Sequence, residues 1–303
     1  MNKQLIKKEL QKITRGSIYE NEPLSRHNTL KVGGPANILV EPANKNEFIN
    51  LIKYLADNSI KYYVLGNGSN ILFMDRGFPG VIVKTKKLNA TRFNVSGEVI
   101  AEAGTLLSVL AIRAVFQGFG GLEELAGIPG TVGGAIRQNA GAFGREIKDI
   151  LVMVEAINEA GNKIWFAGGE CDFGYRTSRF KTEKLWITEA KFKLLSVDKN
   201  EALIKIEEYR NLRKEKQPLE YPNAGSIFKN SEGIFAGKLI EEAGLAGLKK
   251  GGAEISTKHA NFIVNKGNVT ASDILYKENS LKAPDFSHGD ERLKYFIRYL
   301  TLI

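Results

Sequence analysis

The residues of this chain best suited to chemistry are small ones. Gly66-Asn67-Gly68-Ser69-Asn70 and Gly127-Ile128-Pro129-Gly130-Thr131-Val132-Gly133-Gly134-Ala135 set glycines among amide and hydroxyl side chains. Without a Cβ the backbone can turn its N–H groups inward, and Asn, Ser and Thr add further donors. Each loop is therefore a candidate cradle for an anion, a phosphate above all. Asn139-Ala140-Gly141-Ala142-Phe143-Gly144 reads as an extension of the second cradle. Two such loops, both near strand ends, weigh against ordinary turns. Arg176, in a basic segment, and Ser226, after a glycine, say less by themselves. Residues in such places are usually a surface arginine and a turn serine.

Better-known motifs are absent. Gly66-x-Gly68 is followed by Ile71 where a dinucleotide fingerprint needs its third glycine. Gly233 and Gly237 are too close together for a Walker loop, and Leu239 follows Lys238 where Ser or Thr belongs. No Gly-x-Ser-x-Gly elbow occurs, and His27, His259 and His288 follow no triad spacing. Neither a His-Glu-x-x-His motif nor a carboxylate cluster argues for a metal. Cys171 is the single cysteine, which excludes a disulfide framework and a cysteine zinc site and fits a reducing cytoplasm.

The composition frames these loops. The chain has 303 residues, with 31 glycines against 8 prolines. Disordered linkers usually enrich both residues, so this balance reads as a folded chain with close backbone approaches. Hydrophobic residues make up 43%, enough for a sizeable core. Residues 1–13 carry lysines among short apolar spots, unlike a signal peptide, and no apolar run is long enough to span a membrane. The net charge of +9 points to anionic partners. Its basic runs (84–87, 210–216 and 249–250) are scattered and match no nucleic-acid motif, so neither nucleic acid nor membrane is expected as a partner.

The elements that must hold the loops alternate between strand and helix, an α/β reading. Residues 1–28 form a short helix and an arm. Residues 29–85 read as strand, helix, strand, loop, strand, with Asn44 and Glu47 opening the helix in a capping box and Tyr62–Leu65 running into the first glycine loop. Residues 86–195 begin with a strand near Val99. Thr105 is placed to cap a helix whose apolar face is Leu107, Leu110, Ala111, Ala114 and Val115. A hairpin over 151–166 and a strand over 185–195 follow. Residues 196–303 start with a polar helix, 201–216. They continue with a helix over 236–243, a strand over 261–265 and helices near 270–281 and 290–302.

Both glycine loops resemble the flavin-diphosphate loops of the UDP-N-acetylenolpyruvoylglucosamine reductases (MurB). The similarity runs from Val64 to Leu72 and from Gly121 to Ala135, within a match from about Pro23 to about Asp273. The resemblance implies a two-subdomain FAD-binding PCMH-type fold over 29–195 and an α+β substrate-binding domain over 196–303. It implies that NADPH passes hydride through FAD to the terminal carbon of an enolpyruvyl ether on a UDP-sugar. It assigns FAD to Gly66, Asn67, Gly68, Ser69, Asn70, Gly127, Pro129, Gly130, Thr131, Gly133 and Gly134.

Phe173-Gly174-Tyr175-Arg176-Thr177-Ser178 resembles the family's Tyr-Arg motif, which makes Arg176 the cation beside the substrate carboxylate. Ala224-Gly225-Ser226-Ile227-Phe228-Lys229-Asn230 resembles its serine segment, which makes Ser226 the proton donor. Tyr175, Lys229 and Asn230 become substrate contacts, with Ser231 where the family usually has proline. His259-Ala260-Asn261-Phe262 is also similar, and leaves His259 open between packing and chemistry. The family's C-terminal glutamate finds no match here: its ungapped position falls near Phe296, and Asp285 and Glu291 are only stand-ins outside the motif. A sugar or alcohol oxidase on the same fold, or a relative impaired in turnover, is the alternative. Many of those oxidases tether flavin through a histidine in a glycine loop, and neither loop here contains one.

Overall fold

The computed structural model describes residues 2–230, 233–275 and 301–303. They build two compact units, each discontinuous in sequence. The first comprises Met1–Asn21, Asn37–Asn67 and Pro79–Asn211, and the second Glu22–Ala36, Gly68–Phe78 and Leu212–Ile303. The expected division at 28 and 195 is linear, whereas here two N-terminal segments join the C-terminal residues.

Two sheets form the frame of the first unit. One has the order Ser17–Pro23, Pro35–Glu41, Phe78–Lys84, Tyr62–Leu65, its last two strands parallel with Tyr62 opposite Val81. Helix Lys45–Asp57 covers it and starts as the sequence predicts, with Asn44 Oδ1 accepting the Glu47 N–H at 3.0 Å. The reciprocal half of the box is shifted by one residue: the Glu47 carboxylate accepts the N–H of Ala43, at 2.8 Å. The helix buries Phe48, Leu51, Ile52 and Leu55 with Val81, Val83 and Leu10 of helix Lys3–Ile13. Each side chain of this size contributes roughly 1.5–3 kcal/mol when fully buried.

The other sheet is antiparallel, in the order Lys163–Ala167, Leu151–Ile157, Trp186–Lys193, Glu98–Glu102, Thr91–Phe93. Its hairpin closes with Ile157 opposite Lys163. The edge strand Thr91–Phe93 carries too little apolar pattern to be seen in the sequence. Helix Leu107–Phe116 buries the expected face. Thr105, however, does not cap it. Leu106 takes the capping position without a side-chain bond, and the Thr105 hydroxyl is buried with no partner among the described residues. The Thr105 carbonyl is turned to the second glycine loop instead, where it accepts the Val132 N–H at 2.8 Å.

The second unit packs helix Ala236–Glu242 and the three-stranded sheet Lys249–Lys250, Ala253–Ile255, Ile263–Asn265 around Phe228, Ile240, Ile255 and Ile263. Residues 271–275 are helical, and the Asp75 carboxylate accepts the N–H groups of Ala271 and Ser272 at 2.7 and 3.0 Å. The expected helix over 290–302 does not reach its end: Thr301–Leu302 is a strand, parallel to Ile71–Leu72. Residues 276–300, with Asp285, Glu291 and Phe296, and also Ser231, lie outside the described residues. No helix of the described residues is long and apolar enough to cross a membrane.

A buried charge cluster locks helix Lys45–Asp57 to the antiparallel sheet. Lys45 Nζ lies 3.0 Å from Glu155 Oε1 and 2.8 Å from Glu189 Oε2. Both carboxylates are almost fully buried, and Thr188 donates its hydroxyl to Glu155 at 2.6 Å. Burial alone would raise the Glu155 pKa. The bonds from Thr188 and Lys45, with the charges of Lys45 and Lys163, hold it below the usual carboxylate range. A depressed carboxylate contributes stability above its unfolded pKa and loses it as pH falls through the folded one. Lys45→Met removes the shared cation from two buried carboxylates, with only Arg92 and Lys163 left nearby, and should cost about 3 kcal/mol in urea denaturation at neutral pH. The deficit should shrink as the pH is lowered into the carboxylate range, because protonation relieves the stranded pair.

Candidate active site

The two glycine loops meet in the first unit. Gly66 ends strand Tyr62–Leu65 so close to the second loop that a Cβ there would lie 2.6 Å from Thr131 Oγ1. Asn67 Nδ2 donates to Pro129 O at 2.5 Å. The second loop is in turn fixed by backbone bonds: Leu107 N–H to Gly130 O at 3.0 Å and Gly133 N–H to Ala103 O at 2.9 Å. Thr131 caps helix Val132–Gln138, its hydroxyl accepting the Gly134 N–H at 3.3 Å. Gly127 precedes this run, partly exposed. Gly134 is open, with the Thr131 hydroxyl 3.4 Å from where a Cβ would sit. The rest of the first loop falls in the second unit. There Gly68 adopts φ +71°, a Cβ on it would strike the His27 carbonyl oxygen, and its own carbonyl accepts the Thr29 N–H. Ser69 and Asn70 form the following turn, and Asn70 Oδ1 is buried without a partner among the described residues.

Tyr175 and Arg176 also lie in the first unit, at the corner of a tight turn closed by paired bonds between Gly174 and Thr177. Arg176 sits at φ +56°, a costly backbone for a residue with a side chain. Tyr175 is half exposed, and the guanidinium lies 5.1 Å from its ring centre. The Asn139–Gly144 segment lies against Arg176. It presents acceptors: the carbonyls of Asn139 and Gly141 take Arg176 N–H bonds at 3.3 and 2.9 Å.

In the second unit, Gly225 adopts φ +77° and sets Ser226 into an isolated bridge with Phe262. Asn261 grips the next residues. Its backbone oxygen accepts the Ile227 N–H, and its side chain both accepts from and donates to the Phe228 backbone, at 2.9 and 3.0 Å. Ser226 and Asn230 line one cleft of about 480 Å³ with Lys216, Lys238, Lys258 and His259, and with the carboxylates Glu215 and Glu241. The Asn230 side-chain oxygen accepts the Ala236 N–H at 3.1 Å. Lys229 is partly exposed and is not among the lining residues. Burial holds the His259 imidazole below its usual pKa, and Nδ1 accepts the Asn261 N–H at 3.3 Å, so the neutral ring carries its proton on Nε2. The cleft offers a polar ligand a hydroxyl among three lysines and two carboxylates.

Sequence reasoning passed over Asn261 and Thr105 as site-builders, and read Asn139 only as part of the cradle. An asparagine just after a helix is a signal for the left-handed cap that Asn139 makes at φ +41°. The pairing of Asn261 with Phe228 leaves no mark in the sequence.

Comparison with known proteins bears on this geometry. Residues 36–207 match the FAD binding domain family, and residues 217–279 match the C-terminal domain of UDP-N-acetylenolpyruvoylglucosamine reductase. The chain is 55% identical over 282 residues to the UDP-N-acetylenolpyruvoylglucosamine reductase of Carboxydothermus hydrogenoformans, 93% of each chain. It is 46% identical over 265 residues to that of Caldanaerobacter subterraneus subsp. tengcongensis, 87% of each. The crystal structure of UDP-N-acetylenolpyruvylglucosamine reductase (MurB) from Thermus caldophilus superposes with a TM-score of 0.80 at 35% identity, covering 95% of this chain and 98% of that one.

The residues present fit FAD. In the first unit, the unpartnered Thr105 hydroxyl adjoins the second loop, and Gly134 leaves that loop open to a ligand. Gly134→Ala tests the fit. In a helical turn with only ordinary contacts, alanine should leave the stability of the flavin-free protein unchanged or raise it by up to about 1 kcal/mol. The same methyl should weaken FAD retention at least about tenfold, since roughly 1.4 kcal/mol of lost contact is a factor of ten. Urea midpoints and flavin fluorescence titration separate the two effects. Unchanged FAD affinity would remove Gly134 from the flavin contacts.

Proposed function

The chain belongs to the UDP-N-acetylenolpyruvoylglucosamine reductase family, and we propose that it reduces the enolpyruvyl ether of UDP-N-acetylenolpyruvoylglucosamine to the lactyl ether of UDP-N-acetylmuramate, a step of peptidoglycan precursor synthesis in the cytoplasm. Membership makes it an oxidoreductase of FAD-binding PCMH-type fold with FAD and NADPH as cofactors. On this reading residues 29–195 are its FAD-binding part and residues 196–303 its substrate-binding part.

FAD, when bound, relays hydride from NADPH to the terminal carbon of the enol ether. What remains for the protein is the charge and the proton. Electron density builds on the carbon beside the substrate carboxylate, and a guanidinium that is always ionised stabilises it there. That task falls to Arg176. Ser226 supplies the proton to the same carbon. A serine hydroxyl is a weak acid, so it must be held in place and its proton replaced after transfer. Tyr175, Lys229 and Asn230 contact the substrate, and both glycine loops take the flavin diphosphate.

The observation that supports this reading best is the setting of Ser226. It stands beside backbone clamped by Asn261, in a cleft whose Lys216, Lys238 and Lys258 outnumber its Glu215 and Glu241 and can pair with the anionic groups of such a substrate.

Purified protein should be yellow, and anaerobic NADPH should bleach it. A folded protein that binds no flavin would sink the reading. In stopped-flow, Ser226→Ala should bleach at the wild-type rate, while its reoxidation by the enolpyruvyl substrate slows about 10²- to 10⁴-fold, the usual range for a lost general acid. Equal reoxidation in the two proteins would remove Ser226 from the chemistry.

A further inference from the structure

Arg176 is held by three acceptors, and one of them is a charged side chain. Nη1 lies 3.1 Å from Glu146 Oε1 and also donates to Asn139 O; Nη2 donates to Gly141 O. A guanidinium has five N–H groups in a rigid fork. These bonds use three of them; the N–H of Nε and one of Nη2 have no partner among the described residues. Lys181 Nζ donates to the Arg176 carbonyl at 3.1 Å, so the backbone of the turn is fixed as well.

Glu146 is itself built into place. Its Oε2 accepts the Asn139 amide at 2.9 Å and lies 3.2 Å from Lys148 Nζ, and its backbone N–H donates to Asp149 Oδ2 at 2.8 Å. Asn139 is fully buried and ends helix Val132–Gln138, the helix that begins at the second glycine loop. The same amide donates to Gly174 O at 3.1 Å, the carbonyl that precedes the Tyr175–Arg176 corner. One side chain thus ties together the helix, the turn that carries the arginine and the carboxylate that grips it. Glu146 is partly exposed, yet a carboxylate held in this position does more than fill space, because it sets the direction of a charge.

We infer that Glu146 is a positioning residue for the reduction of the enolpyruvyl group: it fixes the plane of the Arg176 guanidinium so that the uncommitted edge faces the substrate carboxylate. The inference rests on the reading of Arg176 as the partner of that carboxylate. An arginine released from Glu146 keeps its charge and still binds a carboxylate in the ground state. It loses the placement that counts when charge develops in the transition state. The effect of removing Glu146 therefore falls on kcat and spares KM.

The test is stopped-flow and steady-state kinetics of the FAD-loaded enzyme with NADPH and UDP-N-acetylenolpyruvoylglucosamine. In Glu146→Ala, bleaching by NADPH should keep its wild-type rate. Reoxidation by the substrate should fall about 10²-fold, the size expected for a misplaced catalytic group, with KM within about threefold. Glu146→Gln keeps an acceptor but loses the charge assistance, worth about half the bond, and should recover reoxidation to about tenfold below wild type. Wild-type reoxidation in Glu146→Ala, with Arg176→Ala still slow, overturns the positioning role and leaves the arginine's role standing. A raised KM at unchanged kcat overturns it too. Wild-type reoxidation in Arg176→Ala overturns the reading of the arginine itself. If Glu146→Ala fails to retain FAD, Glu146→Gln decides: about tenfold slower reoxidation at constant KM supports the role, and a wild-type rate ends it.

Discussion

The approach of Gly66 to Thr131 constrains most of what the first unit can do. A side chain at position 66 would force the two glycine loops apart. Gly66 ends a strand of the parallel pair, and Thr131 begins a helix. Around that point Gly130, Val132 and Gly133 are bonded to the backbone of Leu107, Thr105 and Ala103. Closing the loops on each other therefore sets the end of a strand in each sheet and the starts of two helices. A ligand cradle made of backbone needs this rigidity, because loosely held N–H groups would lose to water the free energy they gain from an anion.

The same requirement recurs where regular structure stops. Irregular backbone carries N–H and C=O groups that no ladder satisfies, and in the interior each must find a partner. Buried asparagines supply these partners here. Asn139 holds Glu146, Lys148 and Gly174 around Arg176. Asn261 holds the backbone after Ser226. Asn28 and Asn265 perform the same service for Leu24, Leu30 and Val32 in the second unit. An amide suits this work because it donates and accepts at once, as a peptide does, and carries no charge to desolvate.

The elements that the sequence makes plain are those whose signals are local. Asn44 with Glu47, and the spacing of Phe48, Leu51, Ile52 and Leu55, describe a helix without reference to anything distant. The hairpin over 151–167 and strand Tyr62–Leu65 are similarly self-contained. Misreadings arise where a remote partner outbids the local signal. Thr105 has a capping residue's chemistry, but its backbone is claimed by Val132, so the cap passes to Leu106. Thr301–Leu302 ends a segment with helical periodicity, yet pairs as a strand with Ile71–Leu72, far away in the chain.

By itself the sequence determined the alternating architecture and the two glycine loops, because residue type and spacing along the chain encode backbone permissiveness and helix or strand period; the segments around Arg176 and Ser226 stood out only through their family resemblance. Tertiary structure alone decided which atoms those loops and motifs face. Gly66 against Thr131, Asn139 against Glu146 and Gly174, and Asn261 against Phe228 are contacts between remote residues. No local preference selects them. They follow from how the sheets and helices pack, and they turn a permissive glycine into a fixed loop and a charged side chain into an aimed one.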